Sequence, residues 1–183
     1  MLSDAGLELD LALDEDAGFQ ARCAHGRGEV WTRKQAGIRA RGTLTLDGGA
    51  SRPVDARAVI DDTAGYYARH TRWQWCAGVG QDERGRGLAW NLVAGVNDPP
   101  QNSERTVWVD GAPHEVPPGR FAENLSGVDE LRFTAEAVRQ SHQNLLLVRS
   151  DYRQPFGTFS GRLPGGIGVA EGYGVMEEHD VWW

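Results

Sequence analysis

Lysine is almost absent from this chain: of 19 basic residues, Lys34 alone is a lysine and the others are arginines. Arginine's planar fork suits anion recognition, but its uniform use along the whole chain points first to a GC-rich coding sequence. Cysteine is equally scarce. Cys23 and Cys76 form neither a CxxC pair nor a metal-ligand spacing, so buried reduced thiols are expected and no metal site is implied. No run approaches the roughly 18 apolar residues of a membrane-spanning helix. The opening MLSDAGLELDL is acidic and lacks the basic and apolar regions of a secretory signal, so a cytoplasmic location is expected. Positive charge is in deficit as well, and a formal net charge of -7 argues against nucleic acid, which is met by a basic surface. Gly78-Val79-Gly80 lacks the third glycine of a dinucleotide loop, and Phe159-Ser160-Gly161 lacks the partner glycine of a nucleophile elbow. No cofactor is implied.

What is present is alternation. The 183 residues fit a single domain over residues 1–183, with 40% hydrophobic residues and 24 glycines, a turn-rich β composition. Leu7, Leu9, Leu11 and Leu13 alternate with polar or small residues, the pattern of a half-buried strand. Strands are also expected over 43–46, 54–60, 72–79, 88–93, 105–109, 131–137 and 144–148. Turn chemistry separates them at Asp47-Gly48-Gly49, Asp61 to Gly65, Glu83-Arg84-Gly85, Asn97 to Pro100, Asp110-Gly111 and Pro117-Pro118-Gly119. Helices are expected to be short, near 64–69 or 126–130, and the loop 98–103 to be mobile. Many short strands at this spacing predict an all-β fold, an antiparallel barrel of about eight to ten strands with room for one small ligand.

The chain is rich in tryptophan, with seven in all. Four lie in two segments, YYARHTRWQW from Tyr66 to Trp75 and GVMEEHDVWW from Gly174 to Trp183. On a strand, Trp73 and Trp75 share one face, and Glu177, His179, Val181 and Trp183 share another. An aromatic wall beside ionisable groups points to a cavity for an apolar small molecule. Glu177 and His179, two residues apart, can form an acid–base pair. His70 lies before the Trp73 strand, where it can reach the cavity mouth, although a lone histidine is more often structural. Asn91, opposite Trp90 and Leu92, needs hydrogen-bond partners if it points inward. Glu104 is either a carboxylate at the cavity rim or the partner of an arginine. The candidate catalytic residues are thus Glu177, His179 and His70; the candidate ligand-binding residues are Trp73, Trp75, Asn91, Glu104 and Tyr66.

Several words in order carry a resemblance: Trp31-Thr32-Arg33-Lys34, Ile60-Asp61-Asp62, Gly65-Tyr66, Arg69 to Trp75, Trp90 to Val93, Gly95 to Asp98, Ser103-Glu104, Val107 to Gly111, Tyr152 to Gly157 and Gly174 to Glu177. Across residues 7–183 the chain resembles a bacterial family of unknown function with lipocalin-like (calycin) modules, distantly similar to hydratases of the hydroxyneurosporene synthase type. Members of the family have two successive modules, and this chain resembles the second. The family has no established reaction, and it is the aromatic wall with its acid–base residues that points to a cofactor-independent hydratase, isomerase or cyclase acting on an unsaturated apolar molecule, or to a non-catalytic protein that binds a lipid-like ligand. The resemblance implies that a sister module or a second copy in a homodimer covers an apolar face, unless the module closes on itself as a monomer.

Overall fold

A computed structural model describes residues 2–4 and 6–183. Among them are thirteen strands: β1 (Leu2–Asp4), β2 (Leu7–Leu13), β3 (Phe19–His25), β4 (Gly28–Leu46), β5 (Arg52–Gly65), β6 (His70–Gln81), β7 (Gly87–Ala94), β8 (Thr106–Val109), β9 (Ala112–Glu115), β10 (Gly127–Val128), β11 (Leu131–Leu145), β12 (Val148–Arg162) and β13 (Gly168–Trp182). None of the described residues is helical, so nothing forms at 64–69 or 126–130 beyond the end of β5 and the short β10. Among the described residues no helix is long and apolar enough to cross a membrane.

The strands form two antiparallel sheets. In the five-stranded sheet the long β4 is the axis: β5 pairs along one edge, while β3 and β2 pair with successive halves of the other edge and β1 adds to β2. The larger sheet runs β10-β11-β12-β13-β6-β7-β8-β9. Among the described residues no ladder joins the outer strands of either sheet, and the expected closed barrel of eight to ten strands is not found. The all-β, antiparallel character is as the alternation predicts.

Two sequence expectations change for identifiable reasons. Asp61 to Gly65 reads as a turn but continues β5, because the adjacent acids are partners in a charge ladder: Lys34 lies opposite Asp61 and Arg33 opposite Asp62. Such cross-strand pairs favour the strand despite its turn-like composition. The expected strand over 144–148 is the tip of the β11–β12 hairpin, with Leu145 paired to Val148 and Leu146 and Leu147 exposed.

The larger sheet is covered on both faces. One side of β6, β7 and β13, carrying Cys76, Trp90, Leu92 and Met176, packs with Val116, Phe121, Leu125 and Val128 from the segment before β11, and with Phe133 and Phe159. Trp90 is fully buried here, its ring edge-on to Phe159. The other side meets the smaller sheet, where Ala36 packs against Ala89 and Trp108. Burial on both faces explains the unbroken buried run from Leu88 to Val93, which alternation alone does not require.

Candidate functional site

A cleft of about 510 Å³ lies between the two sheets. The smaller sheet contributes Lys34 from β4 and Asp61 and Thr63 from β5; Tyr67 follows in the β5–β6 loop. The larger sheet contributes Trp73 and Trp75 from β6, Val93 from β7 and Glu177 from β13, and the β7–β8 connection adds Val96, Asn97 and Glu104. Period-two geometry selects these side chains: the residues opposite them on β6 and β13, Cys76 and Met176, belong to the core on the other face.

Each indole is held by its N–H. Trp75 Nε1 donates to Asn91 Oδ1 at 2.7 Å, and Asn91 Nδ2 donates to the Glu104 backbone carbonyl at 2.9 Å. Asn91 is fully buried and both ends of its amide are therefore satisfied, which fixes the Trp75 ring. Trp73 Nε1 donates to Glu177 Oε1 at 2.9 Å. The other carboxylate oxygen of Glu177 accepts from Tyr152 Oη at 3.0 Å and Gln154 Nε2 at 2.8 Å. Burial and the neighbouring Glu177 carboxylate push the Tyr152 phenol well up, so it serves as a donor.

Glu104 and Lys34 are the notable pair. Both side chains are about 3% exposed, with Lys34 Nζ 3.4 Å from Glu104 Oε2 and 2.5 Å from the more open Asp61. Asn97 Nδ2 donates to the same Glu104 oxygen at 3.1 Å. Burial raises the Glu104 carboxyl above the usual carboxylate range and the Asp61 charge adds to this, against the opposing pull of Lys34. Tyr67 is pushed up to about 12 by its own burial and by the charges of Glu104 and Asp61.

Trp73, Trp75, Glu104 and Glu177 thus line one space, with Asn91 directly behind Trp75. Glu104 is a buried member of the site, and its cationic partner is the lysine and not an arginine. The other candidates lie elsewhere. His179 shares the Glu177 face but sits behind Trp73, packed against Trp73 and Tyr152, with Nε2 2.8 Å from Ser150 Oγ; burial lowers its pKa and favours the neutral ring. His70 falls on the opposite face of β6, stacked on Trp182 and 2.9 Å from Asp180. Tyr66 points to solvent at 85% exposure, and its neighbour Tyr67 takes the place in the cleft. Lys34, Asp61, Tyr67 and Asn97 were not among the sequence candidates. Lys34 did carry a signal, since a chain that otherwise uses only arginine keeps a lysine at this one place. Among the described residues no group of three or more His, Cys, Asp and Glu side chains is arranged to hold a metal ion.

Residues 5–183 match a family described as a domain of unknown function, DUF2804. No curated protein matches the sequence. Among solved structures, a protein from Nitrosomonas europaea provisionally called AttH is similar at 13% identity and a TM-score of 0.41. The likeness covers 97% of this chain and 63% of that one, so the chain spans less than two thirds of the length of the structure it resembles.

Proposed function

The chain belongs to the DUF2804 family, and from its own cleft we propose that it binds a small unsaturated molecule between its sheets and transfers a proton to it without a cofactor. The observation that carries the proposal is Glu104: a carboxyl group at the wall of an aromatic cleft, nearly sealed from solvent and held by Lys34 and Asn97. A carboxyl whose pKa is raised by burial remains a proton donor where an ordinary one is ionised, and such groups concentrate at functional sites. The acid moves from Glu177 to Glu104 because Glu177 faces three donors, an arrangement suited to a carboxylate that accepts.

In this reading Glu104 protonates a carbon–carbon double bond, and the positive charge left on the neighbouring carbon is faced by the Trp73 and Trp75 rings. Loss of a proton from an adjacent carbon gives an isomer; attack by a second double bond closes a ring whose new cation then loses a proton; and addition of water followed by loss of its proton gives an alcohol. Each route returns one proton, so no oxidant or metal enters the balance. Hydratase, isomerase or cyclase chemistry is in keeping with the distant similarity to hydratases of the family that the motif words resemble.

The test starts from a molecule that co-purifies with the protein, identified by native mass spectrometry. Incubated in D2O, wild-type protein should introduce deuterium into that molecule, and Glu104→Gln should reduce this at least ~100-fold while still binding it. Equal incorporation by both proteins would remove Glu104 from the acid role. The second reading, a protein that only binds, is favoured by Glu177 being locked by Trp73, Tyr152 and Gln154. It requires that wild-type protein hold the molecule with no incorporation at all.

A further inference from the structure

The polar lining of the cleft is lopsided. Asp61, Glu104 and Glu177 supply three carboxyl groups against one ammonium, Lys34, which lies between two of them. The indole N–H groups of Trp73 and Trp75 are committed to Glu177 and Asn91 and leave none for a ligand. Asn97 adds an independent sign. It is 5% exposed, lines the cleft, is held with φ at +51°, and donates its Nδ2 to Glu104, while its buried Oδ1 meets no donor among the described residues. Burial first, and then the charges of Glu104 and Asp61, raise the Tyr67 phenol. The cleft thus has more acceptors than free donors, the Tyr67 hydroxyl being the exception, and aromatic side chains in its wall.

We infer that the natural ligand of this cleft is an organic cation, an apolar body bearing one ammonium group that lies against Trp73 and Trp75 between Glu177 and Asp61. An ammonium group supplies donors and positive charge together, and it gains from an aromatic face as a neutral or anionic group does not. An anionic head group would meet the Glu177 and Asp61 carboxylates without a free cation to offset them. A neutral alcohol offers a single donor and no charge. The inference rests on the reading of the interlayer cleft as the ligand site and specifies the charge of what enters it.

The experiment compares 3-phenylpropylammonium, 3-phenylpropanol and 3-phenylpropanoate by calorimetry and tryptophan fluorescence at constant ionic strength. These probes share one apolar body and differ only in the head group. The ammonium should bind about tenfold more tightly than the alcohol, as a desolvated cation–π contact implies, and the carboxylate should bind weakest. Asp61→Asn and Glu177→Gln should each weaken binding of the ammonium more than binding of the alcohol. Trp75→Ala should weaken binding of both the ammonium and the alcohol. Equal binding of ammonium and alcohol, still sensitive to Trp75→Ala, would overturn the cationic ligand and leave the cleft as the binding site. Binding of all three unaffected by Trp75→Ala would overturn both.

Discussion

Lys34 stands between Glu104 and Asp61 in a place with almost no solvent to replace it. Removing one partner of a buried pair leaves the other uncompensated, so Lys34→Met should destabilise the protein by about 3–5 kcal/mol at neutral pH in urea unfolding. The loss should be smaller in acid, where Glu104 takes up a proton. The sign of the pH effect on Glu104 itself follows from its raised pKa. Between the unfolded value and the higher folded one, the folded state holds the extra proton, so this group's contribution is present below the unfolded pKa and is lost as pH rises through the folded pKa. Glu104→Gln should therefore gain stability relative to wild type as pH increases from 4 to 7, measured by thermal unfolding. A constant difference across that range would contradict the raised pKa. The Trp73, Trp75 and Glu177 faces were legible in the sequence because strand parity fixes them. Lys34 was hidden by a compositional explanation that accounts for eighteen arginines and says nothing about the exception. Tyr66 and Tyr67 are neighbours of one type in a loop, where no period decides which turns inward.

At the level of elements, β6 and β13 meet with glycines packed against Trp90. A Cβ on Gly78 would lie 2.4 Å from Trp90 Cζ2, and one on Gly172 would lie 2.6 Å from Cη2. The ring is fully buried and edge-on to Phe159, so it has little room to yield. Gly78→Ala should cost about 1–3 kcal/mol through overpacking, visible as a lower melting temperature. Gly48→Ala, in open space at the β4–β5 turn, offers a contrast in which only backbone strain at φ +68° acts. The short β2, cleanly alternating, and β7, an apolar run, were legible in the sequence. The long β4 and β5 appeared only as fragments at 43–46 and 54–60, because arginine, aspartate and glycine interrupt the apolar pattern and the charges are satisfied across the ladder. The hairpin tip at Leu145 to Val148 looks like a buried strand in the sequence because an apolar run has that pattern whether or not anything covers it.

Over the whole molecule the two sheets are unequally secured. The larger sheet carries the broad core around Trp90, while the smaller one is joined to it through Ala36, Ala89, Trp108 and the Lys34–Glu104 pair. Opening of the smaller sheet should therefore require less free energy than global unfolding. Amide hydrogen exchange should show lower protection in β2–β5 than in β6, β7 and β13, and uniform protection would show the layers to be one cooperative unit. Trp108→Ala should widen that gap. The sequence could not announce an open pair of sheets in place of a barrel, because the same alternating strands serve either arrangement and closure depends on which edges pair. The scarcity of lysine has a practical consequence in this architecture. Apart from the α-amino group, the one amine of the chain lies in the seam between the layers, 2% exposed. An acylating reagent that modifies lysines would find no other side-chain target, and the rate at which one extra adduct mass accumulates would time the parting of the two layers without any engineered label.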